Sequence, residues 1–129
     1  MKKLALIAIA ILAFSCKKES EEPFGKPTEP TETAAASTPE SLGKEIFEGK
    51  GNCTACHQVD QKLIGPSLKE IAKVYKDKNG NMVGFFKDES EAIVDPSQFE
   101  VMRANIEITR TFSEEELKGL EAYIYSNLK

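Results

Sequence analysis

Polar and apolar positions divide the chain into three unlike stretches. Lys2 and Lys3 lead into an unbroken apolar run from Leu4 to Phe14, a charged start followed by a core too short to remain in a bilayer as a spanning helix. This pattern predicts an export signal over residues 1–15. From Lys17 to Ser37 the apolar positions all but vanish, leaving three prolines, many Glu, Thr and Ser residues, and Phe24 as the one large apolar side chain. Such a stretch cannot bury enough surface to offset the entropy of ordering it. Residues 16–37 are therefore expected to form a disordered, proline-stiffened tether.

From Thr38 onward the spacing turns helical, with almost no alternating strand signal. Thr38 and Pro39 read as an N-cap and a first helical position, and Leu42, Ile46 and Phe47 mark one face until Gly49 and Gly51 stop the helix. Leu68, Ile71, Ala72 and Tyr75 predict a second helix that runs into the turn cluster Asn79, Gly80 and Asn81. Residues Asn79 to Gly84, including Met82, read as turn-like. A short helix is expected over Glu89 to Val94, closed by Asp95 and Pro96. The clearest element is the last: Ser113 and Glu116 make a capping box, and Leu117, Leu120, Ile124 and Leu128 line a stripe behind it. No internal repeat is visible, and residues 38–129 read as one all-α domain.

Composition narrows the function. With 17 basic and 21 acidic residues the formal net charge is −4, which gives no field suited to nucleic acid. Charge is unevenly spread: Lys44 to Lys87 holds eight basic and five acidic residues, Asp88 to Lys129 four basic and ten acidic. Lys50, Lys62 and Lys69 could accordingly rim a site and steer acidic partners. Large apolar residues are few for a domain of this size, and small domains often draw stability from a cofactor or metal.

Cys53, Thr54, Ala55, Cys56 and His57 supply the anchor for such a group, since Cys-x-x-Cys-His is the attachment sequence of c-type haem. In a helical turn, positions three apart share a side, so both thiols can reach one porphyrin edge while the adjacent imidazole points to the iron. A closed zinc site needs four strong ligands, which one histidine and three cysteines supply poorly. A thiol redox pair would sit beside a βαβ pattern that is missing here, although an exported chain permits a plain disulfide. Nothing resembles a nucleophile constellation or a phosphate loop, and Glu114, Glu115 and Glu116 read as favourable charge in a first helical turn.

Two family resemblances build on these residues. Ala13, Phe14, Ser15 and Cys16 resemble the lipobox of bacterial lipoproteins, with Ala13 standing where a larger aliphatic residue is usual. That resemblance implies that Cys16 is lipidated and becomes the first residue of the mature chain. Without it, Cys16 is a single cysteine behind an ordinary signal. Residues 38–129 resemble the small class I cytochromes c, whose fold is a set of helices wrapped around one covalently attached haem. Gly43 to Phe47 is similar to that family's N-terminal helix, and Leu120 to Ile124, with Tyr123, to the helix that crosses it.

The same resemblance implies roles for further residues. Pro66 would accept a hydrogen bond from His57 through its carbonyl, and Leu68 would pack on the haem. Met102, Arg103, Ala104 and Asn105 resemble the family's Met-Pro-x-Asn loop, with Arg103 in place of proline, which implies Met102 as the second axial ligand. Met82 is the competing thioether or a gap-filling residue. No second histidine is present. The implied protein is no enzyme and takes no small-molecule substrate: it is a single-electron carrier on the periplasmic side of a bacterial membrane. Its partners would be a quinol-oxidising complex and a terminal oxidase or reductase. If neither methionine binds, the alternative is a haem enzyme or gas sensor with an open iron site.

Overall fold

The computed structural model describes residues 37–129. The expected signal over 1–15, the lipid site Cys16 and the tether up to Ala36 lie outside them. Five α-helices follow one another: α1 (Pro39–Glu48), α2 (Leu68–Lys78), α3 (Met82–Phe86), α4 (Phe99–Thr109) and α5 (Glu114–Ser126), with short 3-10 turns at Cys53–Ala55 and Pro96–Gln98. Among the described residues there is no strand, only a single antiparallel bridge between His57 and Lys62.

The N-terminal caps of α1 and α5 were legible in the sequence because they are made by short side chains. Thr38 accepts from the Ser41 amide at 3.2 Å, and Ser67 caps α2 by accepting from the Glu70 amide at 3.1 Å. At α5 both halves of the capping box form: Ser113 Oγ accepts from the Glu116 amide at 3.3 Å, and Glu116 Oε2 accepts from the Ser113 amide at 2.8 Å. Asn79 ends α2 in the left-handed region at φ 50°.

α1 and α5 cross closely. A Cβ on Gly43 would fall 1.9 Å from the Gly119 carbonyl oxygen and 2.8 Å from Tyr123 Cβ, so this crossing requires glycine. The rings of Phe47 and Tyr123 close it at 5.4 Å between centroids and 57° between planes, a tilted pairing that suits aromatic quadrupoles. Ile46, Phe47, Leu68, Ala72, Tyr75, Leu117, Leu120 and Ile124 join Met82 and Phe86 in one buried cluster.

Four expectations are corrected. Glu89 to Val94 forms no helix: Asp88 takes φ 61°, and the segment is held by side-chain ties instead, Ser90 Oγ to the Asn81 carbonyl at 2.8 Å and Lys78 Nζ to the Ile93 carbonyl at 3.0 Å. The turn-like stretch ending at Gly84 contains the start of α3, because Asn81 caps it by accepting from the Gly84 amide at 2.8 Å and Met82 and Phe86 are drawn into the core. Met102 to Asn105 is not a loop but the middle of α4. Arg103 is the reason: a proline there would remove an amide donor and clash with the preceding turn, whereas Arg103 pairs with Glu100 at 2.7 Å on the same helix. Leu128 does not extend the α5 stripe, since the helix ends at Ser126 and Leu128 stays 38% exposed.

Candidate functional site

The chemistry gathers on one cavity. The turn at Cys53–Ala55 is closed by amides of Cys56 and His57 that both donate to the Cys53 carbonyl, at 3.1 and 2.9 Å. This brings the two thiols and the imidazole to the same wall. Both thiols are free, and burial, with Cys56 adding to it, pushes the Cys53 thiol up to about 11, so it is held as the protonated, poorly nucleophilic form. Among the described residues no group of three or more His, Cys, Asp and Glu side chains is arranged to hold a metal ion.

His57 is fixed from two sides. Its Nδ1 lies 2.8 Å from the Pro66 carbonyl oxygen. A carbonyl only accepts, so Nδ1 carries the proton and Nε2 keeps its lone pair. Gly65 lies against the ring: a Cβ there would come within 2.4 Å of His57 Cε1. The segment is stitched by the Gly65 amide to the Cys56 carbonyl at 2.9 Å and the Leu68 amide to the Gln58 carbonyl at 2.9 Å. The sequence pointed to Pro66; the space that Gly65 leaves for the imidazole has no signature of its own there.

The cavity encloses about 1110 Å³ of empty space, open solvent at its mouth included. Cys53, Cys56, His57, Pro66, Leu68 and Met102 all line it, so the structure gathers every site residue expected from the sequence within the described residues. Tyr75, Phe85, Ile93 and Phe99 complete a mostly apolar wall. Both methionines reach it, in different settings. Met82 is 1% exposed and is part of the core cluster, whereas Met102 is half-buried on the inner face of α4 and stands outside that cluster.

Two polar residues on that inner face went unassigned in the sequence. Asn105 Nδ2 donates to the Gly51 carbonyl at 3.1 Å, the same carbonyl that Cys53 Sγ approaches at 3.3 Å. Buried Thr109 donates to the Phe86 carbonyl at 2.7 Å. Their signal was their spacing from Met102, three and seven positions, which puts all three on one helical face; it became readable only once α4 was known to be a helix. The three lysines of the expected basic rim are exposed and locally paired. Lys50 pairs with Glu116 and Lys69 with Asp60, and Lys62 pairs with Asp95 at 3.3 Å.

An all-helical domain built on a close glycine crossing, with a Cys-x-x-Cys-His wall over an apolar cavity, defines the class of the monohaem c-type cytochromes. The comparison with known families agrees: the family described as Cytochrome c matches residues 41–127, and the chain belongs to it. Cytochrome c-552 of Nitrosomonas europaea is 60% identical over 30 residues, 23% of this chain and 29% of the relative. Cytochrome c-551 of Azotobacter vinelandii is 47% identical over 38 residues, 30% of this chain and 45% of the relative. Cytochrome c-551 of Allochromatium vinosum is 34% identical over 44 residues, 34% of this chain and 47% of the relative. The chain thus spans less than half the length of these relatives. Family membership brings with it one covalently attached haem c. The wall fits that group: two thiols, an imidazole whose Nε2 is left as an acceptor, and apolar side chains for the macrocycle.

Proposed function

We propose that the protein is a single-electron carrier of a bacterial respiratory chain, tethered to a membrane of the cell envelope and facing the periplasm. Cys53 and Cys56 would hold the haem through two thioethers, and His57 Nε2 and the Met102 sulfur would be the donors to its iron. When bound, the haem supplies a one-electron Fe(III)/Fe(II) couple, whose potential a thioether donor raises relative to a harder one.

The rest is work done by the chain. Pro66 holds the His57 proton on Nδ1, which orients the ring and strengthens Nε2 as a donor. Gly65 permits that orientation. Met102 is favoured over Met82 by one observation above the others: it stands on the cavity wall outside the core cluster, so its thioether is not consumed by packing. With both donors in place the site would leave no position for oxygen or peroxide, which suits a carrier without enzymatic activity. Cys16, as the lipid attachment point, and the tether up to residue 37 would keep the domain near membrane partners without fixing its orientation.

A quinol-oxidising complex as donor and a terminal oxidase or reductase as acceptor suit this role. Lys50, Lys62 and Lys69 are each paired within the chain, but such exposed pairs hold weakly and leave the lysines free to steer acidic partners, while the exposed Leu63, Ile64 and Val101 add apolar docking area.

The test is an absorption and near-infrared magnetic dichroism spectrum of the wild type beside Met102→Ala. The sulfur-to-iron signature should be present in the wild type and lost in the variant, and carbon monoxide should bind the reduced variant rapidly and the wild type hardly at all. Rapid stoichiometric binding to the wild type would favour the open-site enzyme or gas sensor.

A further inference from the structure

α4 has a second face that its role as a cavity wall leaves unused. Met102, Asn105, Ile106 and Thr109 point toward the cavity and core, while Val101, Ala104 and Ile108 recur three and four positions apart along an adjacent, outward flank. Val101 is 61% and Ile108 37% exposed, so an apolar stripe of helical period faces outward.

The charges beside this stripe have a pattern. Glu100, Arg103, Glu107 and Arg110 share one flank of α4 and alternate in sign. They are antisymmetric about Asn105: acid and base lie five and two positions before it, acid and base two and five positions after it. Within one copy they pair locally, Arg103 with Glu100 at 2.7 Å and Arg110 with Glu107 at 3.1 Å. Exposed pairs of this kind hold weakly and can be shared with a neighbour. An antiparallel second copy, related by a two-fold axis near Asn105, sets each position before that point against its mirror position after it. Glu100 then meets Arg110 of the second copy and Arg103 meets its Glu107, while Val101 comes within one residue of its Ile108. A parallel approach in register sets like charge against like and gains nothing.

We infer that the outer face of α4 is a self-association surface, through which two copies of the chain pair antiparallel. One helix of 11 residues offers less contact than the roughly 1,200 Å² of stable complexes, so the pair is transient, on the scale of redox encounters. Val101 also lines the mouth of the cavity, so the joint lies beside the mouth in each copy. Pairing itself depends on the surface of α4 and not on the axial-ligand assignment.

Disulfide trapping of the full-length, haem-loaded chain tests this. Ala104→Cys sits beside the symmetry point and should cross-link to a second copy well above the rate of Lys118→Cys, an exposed control on α5. Adding Arg110→Glu should slow cross-linking about tenfold, because the two-fold counts each altered pair twice. Adding Glu100→Arg to that variant should restore the rate. Neither pairing within the helix explains such a rescue, because the double exchange leaves Arg beside Arg103 and Glu beside Glu107. Mixing Val101→Cys copies with Ile108→Cys copies gives the same readout should Ala104→Cys disturb the helix, and an unchanged haem spectrum verifies the fold of each variant. Trapping at the control rate, indifference to Arg110→Glu, or no rescue would each overturn the proposal.

Discussion

The α1–α5 crossing and the α4 wall are both helical, but they are held by opposite means. At the crossing, backbone meets backbone: Gly43 lies so close to Gly119 that not even a methyl group fits on it, and Phe47, Leu117, Leu120 and Ile124 seal it with apolar area. α4 contributes only Ile106 as a buried apolar side chain and is tied in by two hydrogen bonds, Asn105 to Gly51 and Thr109 to Phe86. One region is a scaffold complete in the chain itself. The other is a wall whose inner face belongs to the cofactor, so the protein holds it at discrete polar points and leaves the remaining contact to the haem.

The contrast predicts unequal responses to small changes. Adding one methyl at the crossing should have the largest effect. In Gly43→Ala the new Cβ would lie 1.9 Å from a carbonyl oxygen of the partner helix, where the obstacle is backbone and not a flexible side chain. Overpacking costs about 1–3 kcal/mol, and a destabilisation of about 3 kcal/mol is expected from denaturant unfolding of the haem-loaded protein. A loss below about 1 kcal/mol would mean that the crossing gives way easily, and the scaffold would then be no stiffer than the wall.

A smaller loss with a different signature is expected at the wall. Thr109→Val keeps the shape but removes the donor to the buried Phe86 carbonyl, which costs about 1–2 kcal/mol when an acceptor is left unpaired. Because Thr109 lies on the same face as Met102, two turns away, the change should also disturb the near-infrared sulfur signature. Gly43→Ala, though more destabilising, should leave that signature in place. Equal spectral change in both variants would erase the distinction between the regions.

The same contrast explains what could be read in advance. α1, α2 and α5 were legible because apolar stripes and capping side chains are local signals: Thr38, Asn79 and the Ser113–Glu116 box mark their own positions. The cysteines and His57 were legible because their spacing is itself the chemistry. α4 was not, because its inner face is Met102, Asn105, Ile106 and Thr109. That mixed row looks like no core stripe until the cavity it faces is known. α3 was hidden for a related reason, since its single turn of helix is capped by Asn81, a residue equally at home in a turn. The pairing of Lys50, Lys62 and Lys69 joins residues distant in sequence, and a count of charges along the chain cannot reveal it.

The smallest expected effect comes from the contact that links the scaffold to the site. Glu116 caps α5 and also binds Lys50, which leads into the turn bearing Cys53 and lies over the Phe112 ring at 4.5 Å. The Lys50 hydrogen bond first, and the Ser113 amide second, hold the Glu116 carboxyl below its ordinary value of 4.5. A carboxylate depressed on folding adds stability that is complete above its unfolded value and fades as the pH falls through the lower folded one. Glu116→Gln retains a side chain that can serve the capping box but removes the charge. The difference in thermal midpoint between wild type and variant should therefore be constant from neutral pH down to about 4.5 and shrink as the solution becomes more acidic. Salt should shrink it too, since the pair is exposed and open to screening. A difference that ignores both pH and salt would mean that the ion pair contributes nothing and that α5 is joined to the turn bearing Cys53 by packing alone.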